Sequence, residues 1–342
     1  MRMSIFKRRF IVCAFALITI ITACVKNKTT PVLTPTTSSI AQIIKLGTNL
    51  TIFDSGMSKA KLLPILDSLT PPSITAPYTV FAPTDIAFKN AGIYDSTINN
   101  YDTAYLKRLM LYHMFAGDGK KVSDWASVIG GQRNFPVASA SGDYFFLTLD
   151  STGFYVNGNY VIQPDVIAKN GVVHALSGVL IPPAGNIYAI LNNLSKSTDT
   201  TLTMLVSVLD RVTQNSSFKI DSLLSSSSVF TDSIYTFFAP TNAAFRLTAD
   251  STQAIISMAD PDSLAILLKT HIISGRVFSS DFPLDSVRIA YAGDSLFFTS
   301  TIGNTIQSKG DSTATSFLQT NILATNGVIH KVNQVLFPFY PF

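Results

Sequence analysis

Four histidines are where a search for acid–base or metal chemistry in these 342 residues must begin: His113, His174, His271 and His330. A catalytic zinc would need further Cys, His or carboxylate ligands at compact spacing, and no HxxxH, CxxC or HExxH occurs. Acyl transfer would need a serine on a strained elbow, and no G-x-S-x-G is present. A phosphate cradle would need a glycine-rich loop, which is also missing. Asp260-Pro261-Asp262 has the look of a calcium pair but reads better as the start of a helix. Carboxylates for glycoside cleavage are available, but nothing in their spacing selects a pair, so a hydrolase ranks last. The expectation is a protein without enzymatic activity, cofactor or metal.

The elements around the histidines explain them without a substrate. His113 follows Leu106, Leu109 and Met110 at i, i+3, i+4, i+7, one face of a helix, and His271 follows Leu264, Leu267 and Leu268 in the same way. Each lies near the helix C-terminus, where a cation is favoured. His174 shares a strand face with Val172 and Leu176. His330 shares one with Val328 and Val332, with Lys331 and Asn333 opposite. All four point toward cores, where a histidine held by hydrogen bonds is ordinary.

That pairing reflects a duplication. Tyr78-Thr79-Val80-Phe81-Ala82-Pro83-Thr84-Asp85-Ile86-Ala87-Phe88 recurs 157 residues later as Tyr235-Thr236-Phe237-Phe238-Ala239-Pro240-Thr241-Asn242-Ala243-Ala244-Phe245. Asn170-Gly171-Val172-Val173-His174 recurs as Asn326-Gly327-Val328-Ile329-His330. In the first block, aromatic and β-branched residues predict a strand, Pro83 or Pro240 ends it, and Thr84 or Thr241 caps a helix. In the second, Asn-Gly marks a tight turn before a final strand. Each unit therefore reads strand, corner, helix with His, several strands, turn, last strand and proline.

These segments, in this order, resemble the fasciclin (FAS1, βig-h3-like) domain. The resemblance implies an α+β fold of two tandem domains, each a wedge of two β-sheets with packed helices, over residues 38–183 and 185–338. Some animal fasciclin proteins link a Tyr-His pair and an Asp-Ile segment to integrin binding. Tyr112 and His113 match the first, and Asp165, in Gln163-Pro164-Asp165-Val166-Ile167, resembles the second. Repeat two departs at Thr270 and Asn321, as it does with Asn242 for Asp85. Repeat one is thus the copy in which to look first for a binding surface, although packing accounts for the same residues.

The N-terminus reads as an address. Arg2, Lys7, Arg8 and Arg9 precede an apolar stretch from residue 10 to residue 21, short for a membrane span. Ile21-Thr22-Ala23-Cys24 resembles the lipobox of a Bacteroidetes-type bacterial lipoprotein. Residues 1–23 are then a signal peptide, Cys24 is the lipidation site, and 24–37 is a Thr/Pro-rich tether. Cleavage would remove all four surplus positive charges, leaving 21 basic and 21 acidic residues and no field for nucleic acid. It would also leave Cys24 as the single cysteine, with no internal disulfide.

All 21 acidic residues are Asp, and twelve begin Asp-(Ser/Thr)-(apolar or Thr) triplets. The triplet resembles an O-glycosylation sequon of Bacteroidetes-type envelope proteins, which makes Ser68, Thr103, Ser233 and Ser286 candidate acceptors. Asp-Ser and Asp-Thr also favour turns and helix caps on their own account.

Together these features predict a lipid-anchored cell-envelope protein, an outer-membrane lipoprotein on a face left open. Its partners would be the membrane, through the lipid, and an extracellular protein or polysaccharide bound in adhesion. The alternative is an accessory glycan-capture component of an outer-membrane nutrient-uptake system, with Trp125, the single tryptophan, as a stacking residue if it is exposed.

Overall fold

The computed structural model describes residues 38–67, 77–196, 200–226, 233–247, 260–282, 286–299 and 304–339. Cys24, the signal and tether segments, and Ser68 lie outside the described residues. Repeat one contains β1 (Tyr78–Pro83), β2 (Met114–Ala116), β3 (Phe135–Ala138), β4 (Tyr144–Asp150), β5 (Gly153–Val156), β6 (Asn159–Ala168) and β7 (Gly171–Leu176), in the order β2-β1-β7-β6-β5-β4-β3. Repeat two contains β8 (Tyr235–Pro240), β9 (Ile272–Ser274), β10 (Ser286–Ile289), β11 (Ser295–Thr299), β12 (Thr305–Ser308), β13 (Thr315–Ala324) and β14 (Gly327–Val332). Its order, β10-β11-β12-β13-β14-β8-β9, is the same topology. β1 with β7 and β8 with β14 are the parallel pairs.

The seven strands bend into a wedge along β6. That strand pairs with β5 at Asn159 and Tyr160, then with β7 from Val161 onward, with register shifts on either side of Gln163. Bulges of this kind bend a strand and re-aim its later side chains. β13 repeats the device around Gln319. The bend gives each repeat two cores. In repeat one, Tyr78, Val80, Ala82, Val173 and Ala175 pack against the helices, while Phe81, Leu176, Phe145 and Leu147 fill the space inside the wedge. β1, β7, β8 and β14 are buried at every residue, so they read as apolar on both faces. Lys331, expected on an open face, is only 8% exposed for that reason.

The corner block folds as its residue types dictate. The Thr84 side chain accepts from Ala87 N at 3.2 Å ahead of helix Asp85–Asn90, and Thr241 does the same for helix Asn242–Arg246. The Asn-Gly turn does more than turn. Asn170 Oδ1 accepts from Ile40 N at 2.9 Å and its Nδ2 donates to Leu66 O at 2.7 Å, tying the first helical segment to the last strand pair. Asn326 makes the matching bonds to Ile187 and Leu224. A Cβ on Gly171 would lie 1.9 Å from Tyr78 O, and one on Gly327 would lie 1.8 Å from Tyr235 O, so only glycine fits there.

The two repeats are joined by a built interface as well as by the connector. Phe278 of repeat two is fully buried against Phe146 of repeat one, in a hydrophobic cluster continuous with that repeat's core. The Arg276 guanidinium lies 3.8 Å from the centroid of the Phe146 ring. Asp281 accepts from Arg133 Nη1 and Asn134 Nδ2, both at 2.9 Å. Asn134 Nδ2 also donates to Arg276 O at 2.7 Å.

Candidate functional site

Tyr112 and His113 are wholly buried. The Tyr112 hydroxyl donates to Tyr144 O at 2.7 Å and accepts from Asn157 Nδ2 at 3.0 Å, and burial pushes its pKa up. His113 Nε2 accepts from Leu180 N at 2.9 Å. Its proton is therefore on Nδ1, which donates to Leu109 O at 2.8 Å. His271 repeats the arrangement with Leu336 N and Leu267 O. The helix C-terminus favours a cation here, but burial prevails and holds both imidazoles neutral, with pKa values lowered to about 4.

Asp165 is the partly exposed member of the three. It occupies the β6 bulge at φ 60°, a left-handed conformation that Asp and Asn tolerate. Its backbone N–H donates to His174 Nδ1 at 3.1 Å, and His174 Nε2 donates to Lys120 O at 3.0 Å. Its Oδ1 accepts from Val122 N at 2.8 Å, satisfying a free donor at the start of helix Val122–Ile129. Asn321, the counterpart, sits at φ 63°. Its N–H points to His330 Nδ1, its Oδ1 accepts from Ser279 N, and His330 Nε2 donates to Val277 O. The change of Asp to Asn therefore preserves the contacts. The same holds at the corner. Asp85 accepts from Ile52 N and Thr51 Oγ1, while Asn242 accepts from Met204 N and donates to Thr203 Oγ1. Two of the three differences that set repeat one apart are exchanges of one capping side chain for another.

Each described histidine thus bridges two backbone groups. Among the described residues there is no group of three or more His, Cys, Asp or Glu able to hold a metal. No described helix is long and apolar enough to cross a membrane. Trp125 is 1% exposed, packed on Phe81 and Phe115, so its ring offers no stacking platform. Of the candidate glycosylation acceptors, Thr103 and Ser286 are exposed and Ser233 is half-buried. The aspartates of several triplets have structural roles. Asp102 caps helix Thr103–Tyr112 through Tyr105 N, and Asp150 accepts from Thr152 N within a turn.

The structure adds features that the one-dimensional reading missed. A cleft of about 510 Å³ opens between the repeats, lined among others by Ala87, Asn90, Ala91, Gly178, Gln319 and Thr320. Among the described residues, no ionisable side chain lines it. The interface residues Arg276 and Phe278 were also missed. Their counterparts are set by shared hydrogen bonds. Thr79 Oγ1 bonds Asp118 O and Lys120 N as Thr236 Oγ1 bonds Gly275 O and Val277 N. Arg276 therefore stands where repeat one has Gly119, and Phe278 where it has Lys121. That local mismatch between otherwise matching repeats was the signal available in the sequence.

The fasciclin domain model matches residues 48–182 and 201–338, most of the chain. A Synechocystis protein, sll1483, is 30% identical over 149 residues, covering 43% of this chain and 77% of its own length. The transforming growth factor-beta-induced protein ig-h3 of Sus scrofa is 26% identical over 277 residues, 76% of this chain. The chain spans only 35% of the length of that relative. A solved FAS1 domain pair from the insect cell adhesion molecule fasciclin I aligns with 84% of this chain and 96% of its own at 17% identity, with a TM-score of 0.38. With both repeats matched and the same strand order in each, the chain belongs to the fasciclin family as a tandem pair of fasciclin domains.

Proposed function

We propose that this chain is a non-enzymatic, lipid-anchored envelope protein that binds an extracellular protein or glycan in adhesion. Cys24 would carry the lipid and residues 24–37 the spacing from the membrane. The observation that carries the reading is the combination of a fasciclin match over both repeats with the burial of all four histidines. The groups most suited to acid–base work are consumed as core staples, which leaves surface contacts as the means of action. Exposed Thr103 and Ser286 keep O-glycosylation within the proposal, and intact mass from the native host tests it.

The anchoring half is tested by labelled-palmitate incorporation, expected in wild type and lost in Cys24→Ala. The binding half is tested by a protein and glycan array combined with protease shaving of intact cells. Labelling that survives Cys24→Ala would remove the anchor, and an array with no specific signal would remove the binding role.

The alternative, glycan capture for an outer-membrane importer, is favoured by one feature. Asn90, Gln319 and Thr320 line an uncharged cleft, and an amide can both donate to and accept from sugar hydroxyls. Impaired growth of a deletion strain on one polysaccharide would favour it over adhesion.

A further inference from the structure

The strand registers make the interface of repeat one comparable, residue by residue, with the same face of repeat two. Ala138 pairs with Tyr144 in one repeat and Ile289 with Ser295 in the other, at corresponding hairpin ends. The two turns share a bond as well. Ser139 N donates to Asp143 O, and Ala290 N donates to Asp294 O. Phe146 and Phe297 are therefore equivalent positions on β4 and β11, both pointing away from the inner core that Phe145 and Leu296 help to fill. Pro136 answers to Val287, and Ala138 to Ile289.

The two faces differ in what covers them. Phe146 is 4% exposed because Arg276 and Phe278 of the following domain sit on it. Phe297 is 40% exposed, with its cross-strand partner Val287 at 43% and Ile289 at 59%. Three large apolar side chains thus form an open patch on edge strand β10 and its neighbour β11. In repeat one the same place is occupied, and its occupant is visible. We propose that the Phe297 face of repeat two is a docking surface for another fasciclin-type domain, one presenting an arginine and an aromatic side chain on the loop after its β9-equivalent strand. This deepens the binding role proposed above by naming a surface and a class of protein partner.

A second copy of this chain is poorly suited to the role. Its Arg276 and Phe278 are buried in its own interface, at 8% and 0% exposure. Its repeat one offers Gly119 and Lys121 at the corresponding loop positions. The partner is therefore a fasciclin-type domain on a different polypeptide. Docking would be head-to-tail, repeating the intramolecular contact rather than pairing like surfaces.

The surface can be tested by giving the chain the missing plug. The purified protein is compared with Lys121→Phe, with the double variant Gly119→Arg/Lys121→Phe, and with each of these carrying Phe297→Asp. Sedimentation velocity reads association. The double variant is expected to self-associate with a dissociation constant at least about ten-fold below wild type, and Phe297→Asp to abolish the gain. A Cβ at Gly119 would lie 3.0 Å from Gly171 Cα, so Lys121→Phe alone serves if the double variant does not fold, with a smaller gain of the same sign. Association no greater than wild type in the folded plug variants overturns the proposal, as does association that survives Phe297→Asp. Neither result bears on Cys24 or on the array, so a failure here is separable from failure of the binding role.

Discussion

The backbone N–H of Asp165 donates to Nδ1 of His174 across 3.1 Å, while the Asp165 carboxylate, whose Oδ1 stands 3.8 Å from the same nitrogen, accepts from Val122 N. One residue in a left-handed bulge thereby joins three elements: β6, β7 and helix Val122–Ile129. Repeat two reaches the same arrangement with Asn321. Because the accepting oxygen matters more than the charge, Asp165→Asn is expected to change stability by less than about 0.5 kcal/mol, and Asp165→Ala to cost about 1 kcal/mol. Urea unfolding of the two variants checks this. If Asp165→Asn proves as costly as Asp165→Ala, the charge has a role that the geometry does not explain.

Buried neutral histidines make stability depend on pH in a defined direction. His113, His271 and His330 are lowered to about 4 by burial, and His174 is lowered for the same reason. In the unfolded chain each titrates near ~6.5. Between these values the unfolded chain binds more protons, so stability is full above about pH 6.5 and falls as pH drops toward about 4. The urea midpoint, followed by Trp125 fluorescence, is expected to be lower at pH 5 than at pH 7.5. The lowered pKa values of Asp143 and Asp150 add a further loss at more acid pH, separate from the histidine window. A midpoint constant between pH 7.5 and 5 would contradict the assignment of neutral histidines.

Among the described glycines, the one in each repeat whose added Cβ would come nearest to backbone lies in the Asn-Gly turn. A Cβ at Gly171 would meet Tyr78 O at 1.9 Å, with no flexible side chain to move aside. Gly171→Ala is therefore expected to cost more than about 4 kcal/mol, or to prevent folding of repeat one. Gly92→Ala is the control. It has φ 73° but nothing within 4 Å of the added methyl group, so its cost is expected to be about 1 kcal/mol. Thermal melts of the two variants distinguish close approach from backbone strain alone.

Phe278 belongs to repeat two by sequence but packs on Phe146 of repeat one, in a cluster continuous with that repeat's core. Its truncation to alanine is expected to cost about 3–5 kcal/mol and to loosen the joint. Trp125 is the single tryptophan and reports on repeat one, whereas far-UV circular dichroism reports on both repeats. Wild type is expected to give coincident transitions by the two probes, and Phe278→Ala to separate them. Transitions that separate already in wild type would show that the interface does not couple the domains.

The Tyr-Thr-x-Phe-Ala-Pro-Thr block folded as its residue types require, with the strand, the proline stop and the threonine cap at the expected positions, because each is a local property of the backbone. The duplication was legible for a similar reason, since equal folding instructions repeat in equal order. The histidines were also readable as core residues, because their neighbours at helical and strand spacing are apolar. Their tautomers were not readable. Those of His113 and His271 depend on Leu180 N and Leu336 N, more than 60 residues away in the chain.

The differences between the repeats needed three dimensions. In sequence, Asp85 against Asn242 and Asp165 against Asn321 resemble a functional divergence. In space each pair is one capping role filled by two acceptors, and the divergence with consequences is Gly119 and Lys121 against Arg276 and Phe278. Local rules and repetition determined the duplicated unit and its corners from the chain alone, and the resemblance of those segments pointed to the family and its α+β fold. Only the tertiary structure decided which side chains face a partner. A residue's partner across a domain interface is set by how two finished surfaces meet, and no spacing along the chain encodes that meeting.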